Sequence, residues 1–376
     1  MKKIKKSHNR FKQTSLDRIK ELLNMKIIGV LFLVLSLIVM FVLKTGQKKD
    51  YSVSANNSVD TEEISRLIEE TGFIGAVALV KNEKIVYSEG FGYAEKDDGI
   101  KNTSDTIFPM ASFQKRITSV LIGQLVSEGK LSYTDKLSKF YPNILNSEDV
   151  TIRELLDHRS GYYLPELPAD KVLTSEEEQI DYAVSETTYD SSHDYAYSNG
   201  NYVFLAAIIR KVDGGSYANS LQKRILNPVG MKHTYTWDKV PDNEIIAEEY
   251  MAVDGNYSKE ERVYSDELMS TLLGAGSLYT TVDDLAKFEI ALSKNTLLTK
   301  EEQDTLFYRD KTKDLGMQMK QISGNISSDA MGVGGYNSFM YGDQANNGLV
   351  ITLYNQLPSV GKSDFAETIY DEIMSE

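Results

Sequence analysis

Strand-like segments stand at both ends of the folded part of this chain with helical patterns between them, an order that few architectures can satisfy. Ile74 to Val80 and Ile85 to Tyr87 are apolar runs separated by Lys81-Asn82-Glu83-Lys84, the pattern of a β-hairpin, and Gly90 to Tyr93 suggests a third strand or its turn. Far along the chain, Ser338 to Tyr341 and Leu349 to Tyr354 read as strands joined by a turn from Asp343 to Gly348, followed by a helix from Ser363 to the end. Helical spacing marks residues 60–70 (with Asp60 as a cap), Ser112 to Glu128, Thr151 to Leu156, Tyr202 to Val212 and Leu285 to Leu292. Asp170 to Asp194 is an acidic excursion. The expected fold is therefore α/β (α+β): an antiparallel sheet assembled from both termini, flanked by helices, with a helical subdomain inserted.

The N-terminus divides the chain. Residues 27–43 are apolar except for Gly29 and Ser36 and are flanked by lysines, which predicts one transmembrane helix at the short end of what spans a bilayer. Residues 1–26 hold nine Lys/Arg against Asp17 and Glu21, so this basic tail is expected in the cytoplasm and everything after the anchor outside the cell. A cleaved signal peptide is the rival reading, disfavoured because the nearest small-residue site, Ser52 to Ala55, stands beyond Lys48 and Lys49. Residues 44–58 read as a linker and 59–376 as the extracellular domain of a single-pass membrane protein. After residue 26 the chain carries 32 Lys/Arg against 53 Asp/Glu, which argues against a nucleic-acid partner. With no cysteine, disulfides, thiolate metal sites and iron–sulfur clusters are excluded.

The chemistry centres on Ser112-Phe113-Gln114-Lys115. Residues three apart share a helix face, and a neutral amine beside a serine hydroxyl can take its proton and make it an acylatable nucleophile. The apolar positions that follow place Ser112 at or near a helix N-cap, where free N–H groups and the helix dipole favour an oxyanion and disfavour a protonated Lys115. A serine that merely caps the helix, with a solvated lysine, fits the same four residues. Tyr197-Ser198-Asn199, just before a helix, supplies a phenol that can shuttle a proton and an amide that can orient the lysine or a substrate carbonyl.

These motifs resemble the serine β-lactamase and penicillin-binding-protein superfamily, in the branch similar to class C β-lactamases and esterases. Asp105 to Phe108 leads into Ala111-Ser112, Thr151 to Gly161 follows, and after Tyr197 come Asn227 to Met231 and Gly274 to Thr281, all in the family's order. The resemblance covers roughly residues 60–370. It implies a β-lactamase/transpeptidase-like fold and an acyl-enzyme with Ser112 as nucleophile, Lys115 and Tyr197 as proton carriers and Asn199 as polar partner. No cofactor or metal is implied.

In its third motif the family places Lys or His, a small residue and Gly on the strand lining the site. Here the counterpart is Val333-Gly334-Gly335, with no cation. The N–H of Tyr336 is expected to complete an oxyanion hole with that of Ser112. The loss of a group that meets a substrate carboxylate weighs against β-lactamase and D,D-carboxypeptidase activity and favours D-alanyl esters or related acyl groups of a cell-envelope polymer, teichoic acid or peptidoglycan; some proteins of this resemblance remove D-alanyl esters from teichoic acids. A catalytically weak cell-wall-binding regulator is the alternative of another class. His8, His158, His193 and His233 have no metal-ligand spacing, and no G-x-S-x-G elbow occurs.

Overall fold

A computed structural model describes residues 59–253, 256–258, 264–307, 319–322, 325–331, 335–343, 347–356 and 361–375. The basic tail, the expected anchor at 27–43 and the linker at 44–58 lie outside these residues. No helix among the described residues is long and apolar enough to cross a membrane.

The domain begins with helix α1 (Thr61–Glu70), capped by the Asp60 carboxylate, which accepts the N–H groups of Glu62 and Glu63. Strands β1 (Gly75–Lys81) and β2 (Lys84–Phe91) form the expected hairpin. Asn82 and Glu83 at its tip both have positive φ, the geometry of the tight turns that match strand twist. The expected third strand at Gly90 to Tyr93 is instead the end of β2 and a break: Gly92 has φ +69°, and Tyr93–Glu95 pairs with Ile100–Lys101 in a separate ribbon.

The helical middle contains α2 (Gln114–Ser127), α3 (Asn199–Asp213) and α4 (Val282–Ser293). The chain then returns as β3 (Met319–Ile322), β4 (Asn325–Met331), β5 (Asn337–Asp343) and β6 (Gly348–Tyr354), and closes with α5 (Lys362–Ser375). All six strands form one antiparallel sheet in the order β3-β4-β5-β6-β1-β2, so β1 sits beside β6 with Ala78 opposite Ile351. The sheet is thus built from both termini as the sequence predicts; β3 and β4 were not expected, because their residues lack a run of apolar positions.

Successive side chains of β1 enter two different cores. Val77 and Leu79 pack with Ile64, Ile68, Phe73, Phe365 and Ile369 under α1 and α5, while Ala76, Ala78 and Val80 join the larger core shared with α2, α3 and α4. Because both faces are covered, the strand is apolar at nearly every position. The helical part shares that larger core with the sheet.

Candidate active site

The segment around Ser112 is held by its flanks. Met110 N–H donates to Leu278 O at 2.7 Å, and the Gln114 carboxamide accepts the Leu278 N–H at 3.0 Å. Between them Ala111 adopts φ +51°, uncommon for a residue with a side chain, and begins a 3₁₀ turn, Ala111–Phe113, that runs into α2. Ser112 therefore lies within the turn, one residue before the helix N-cap Phe113, near the helix start as the sequence predicts. Its hydroxyl is directed at two other side chains: Oγ lies 2.6 Å from the Tyr197 hydroxyl and 3.0 Å from Lys115 Nζ.

Lys115 is 1% exposed, and its Nζ also donates to Ala275 O at 2.6 Å. Burial lowers its pKa to about 7, against a smaller opposing pull from the Glu166 carboxylate. At neutral pH much of it is the free amine, which is the form that can accept a proton. Tyr197 is moved the opposite way: desolvation around its hydroxyl holds the phenol well above its ordinary value, so it stays protonated. Burial disfavours the charged form of each group, and the neutral amine is a base while the neutral phenol is an acid.

His158 supports this arrangement from below. Its ring lies 4.5 Å from that of Tyr197, and its Nδ1 accepts the backbone N–H of Ser198 at 3.2 Å. A backbone N–H can only donate, so Nδ1 carries no proton and the ring is the Nε2–H tautomer. His193 faces away, toward Glu154 and Tyr189.

Asn199 is the first residue of α3, after Ser198 at the cap position, and is buried. Its Nδ2 donates to Glu166 Oε2 at 2.7 Å, whereas the polar partner of Lys115 besides the serine is the carbonyl of Ala275. That carbonyl and Glu166 were missed by sequence reasoning. The small-residue run Gly274-Ala275-Gly276 was the only signal of the first: Gly274 has φ +69°, and a Cβ there would stand 2.7 Å from that of Ala206.

Gly334 and Val333 lie outside the described residues. Gly335 and Tyr336 stand just before β5, and so ahead of the strand on which the family carries its third motif. A Cβ on Gly335 would come within 2.2 Å of Tyr250 O, and its N–H donates to Glu249 Oε1 at 2.8 Å. The Tyr336 side chain turns into the core, its hydroxyl donating to Ala247 O at 2.5 Å, so the side chain itself is not presented to the site. Two residues beyond, Ser338 Oγ donates to Met110 O at 3.3 Å, which laces this segment to the one carrying Ser112. Among the described residues no group of three or more His, Asp or Glu is placed to hold a metal ion.

A sequence profile of the Beta-lactamase family matches residues 61–373. The chain is 30% identical over 262 residues to the teichoic acid D-alanine hydrolase of Staphylococcus aureus, a match covering 68% of this chain and 64% of that protein, so it spans less than two thirds of that relative's length. It is 29% identical over 318 residues to a putative penicillin-binding protein, PbpX, of Bacillus subtilis, covering 83% of this chain and 78% of the other. The crystal structure of FmtA from Staphylococcus aureus superposes with a TM-score of 0.72 at 26% identity, covering 83% and 88% of the two chains. With a profile match over most of its length and the family's fold, the chain belongs to the beta-lactamase family of serine hydrolases.

Proposed function

We propose that the protein is a membrane-anchored, extracellular hydrolase that removes D-alanyl esters or related acyl groups from a cell-envelope polymer through an acyl-enzyme on Ser112. The observation that carries the reading is the hydrogen-bonded set Ser112, Lys115 and Tyr197, in which the lysine is tuned to about 7 and the tyrosine is kept protonated. The similarity to a teichoic acid D-alanine hydrolase, and Val333 at the position where a cation would meet a substrate carboxylate, support an ester substrate. Anchoring rests on the sequence of residues 1–44 alone.

In the first half-reaction the Lys115 amine takes the Ser112 proton as Oγ bonds to the ester carbonyl carbon, and the resulting oxyanion is held by the N–H groups of Ser112 and Tyr336. The tetrahedral adduct collapses by breaking the bond to the polymer oxygen. Tyr197 gives its proton to that alkoxide and is reprotonated from the Lys115 ammonium, so the alcohol leaves neutral and the amine is restored. A water then attacks the acyl-enzyme by the same proton route, releasing the acid and free Ser112. Asn199 orients the rim of the site.

The test is to incubate the full-length protein with D-alanylated lipoteichoic acid and with a pentapeptide ending in D-alanine, and to measure free D-alanine from each. Release from the first, abolished by Ser112→Ala, is expected. Release from the pentapeptide alone would replace the reading with a D,D-carboxypeptidase, and binding without release from either would leave a regulatory domain.

A further inference from the structure

We infer that Glu166 is the receptor for a free α-ammonium group on the acyl part of the substrate, and so a specificity-determining residue. The inference rests on the ester-hydrolase reading above and narrows its substrate class to acyl donors with an unblocked amino group.

Glu166 is exposed, and its Oε2 is fixed by the Asn199 amide at 2.7 Å. Asn199 is two residues from Tyr197, whose hydroxyl touches the nucleophile, so the carboxylate is tethered to the rim of the reacting centre. Its charge is felt at both Lys115 and Tyr197. Among the described residues no Lys, Arg or His forms an ion pair with it. Lys115, the one cation shown to feel its charge, loses its own charge near neutral pH. The rim therefore presents an anion with no ion-pair partner among the described residues, and a carboxylate held in place by a neighbouring amide is placed to meet a cation brought by a ligand.

In an aminoacyl ester the α-nitrogen is two bonds from the scissile carbonyl carbon. Once that carbon is at Ser112 Oγ, the ammonium must lie at the rim of the site, and nothing on the third motif repels it because Val333 is uncharged. In a peptide the corresponding nitrogen is acylated and carries no charge. The polarity of the rim thus selects a single aminoacyl group over a peptide. Leu167, next to Glu166 in the chain, and Tyr163, three residues before it, are exposed.

Phenyl esters of D-alanine, propionic acid and succinic acid (the monoester) carry a positive, a neutral and a negative acyl group, and need no polymer. The full-length protein in detergent should prefer the D-alanyl ester to the propionyl ester. Glu166→Gln should lower the ratio of their kcat/KM values by about tenfold, the worth of one charge-assisted hydrogen bond. Glu166→Lys should lower it further and raise the succinyl to propionyl ratio. A carboxylate that only braces the loop would instead depress all three esters in parallel, and that result, unchanged ratios, or turnover of none of the three by the wild-type protein would overturn the assignment. Intact ratios with no D-alanine released from lipoteichoic acid would overturn the polymer-substrate reading and leave this one standing; the reverse pattern would do the opposite.

Discussion

Replacing Lys115 by methionine should abolish activity and yet make the domain more stable at neutral pH. The lysine titrates at about 7 in the folded protein and near its ordinary 10.5 when unfolded. Between those values the unfolded chain binds a proton that the folded chain does not, so stability rises with pH at about 1.4 kcal/mol per unit. At pH 7 the folded domain is therefore about 4 kcal/mol less stable than the same domain above pH 10.5, where the amine is neutral in both states. Methionine removes this penalty, but leaves the Ala275 carbonyl without the donor that stands 2.6 Å away, a loss of about 1–3 kcal/mol. The net expectation is a gain of about 1–3 kcal/mol at pH 7, a rise in Tm on the order of 5 °C, changing to a loss of similar size at pH 10.5. Urea unfolding of both proteins at pH 7, 8.5 and 10 measures the difference, in which the other titrating groups cancel. A difference that does not vary with pH would refute the claim that burial neutralises Lys115.

The acidic limb of kcat/KM for a neutral ester should lie near pH 7, where Lys115 loses its proton; with a cationic aminoacyl ester the limb of kcat should move lower, and stopped assays across pH 5–9 would detect this. Tyr197→Phe should reduce kcat by about 10²–10⁴ with little change in KM, because it removes the acid that protonates the leaving alkoxide; steady-state kinetics on a phenyl ester and an alkyl ester would separate the two, the poorer leaving group suffering more. Arg116 and Glu289 form a buried pair at 2.7 Å, with side-chain exposures of 7% and 1%, one residue from the catalytic lysine. Glu289→Ala should cost about 3–5 kcal/mol by leaving the guanidinium uncompensated, read as a lowered urea midpoint.

Much of the fold was legible because local pattern and tertiary role agree. The hairpin of β1 and β2, the Asp60 cap and the C-terminal strand pair each carry a signal within a few residues. The three-residue spacing of Ser112 and Lys115 was readable for the same reason. What could not be read depends on partners distant in sequence. In α2, Gln114, Arg116, Thr118 and Ser119 are polar yet buried, because Leu278, Glu289, Gly274 and Tyr202 supply their hydrogen bonds. A periodicity argument assigns such residues to solvent. The Ala275 acceptor is a backbone carbonyl, which leaves no side-chain signature, and Glu166 is a single acid between Pro165 and Leu167, in no motif. The 3₁₀ turn that presents Ser112 just before the helix was not legible either, since it needs a positive φ at Ala111 that the alanine side chain does not announce.

The uncharged third motif has an electrostatic consequence beyond the loss of a carboxylate receptor. A Lys or protonated His beside the nucleophile would repel a protonated Lys115 and help to discharge it. The lowering of Lys115 comes from desolvation, and among the described residues the charge opposing it is that of Glu166. The same carboxylate that would bind a substrate ammonium therefore works against the discharge of Lys115. An ammonium arriving at Glu166 neutralises that pull and adds a positive charge near the amine, and both changes push Lys115 toward its basic form. Recognition and activation are then coupled through one residue: the substrate that satisfies Glu166 also readies the base that activates Ser112, whereas a neutral acyl group, or water alone, finds the lysine in the less reactive state.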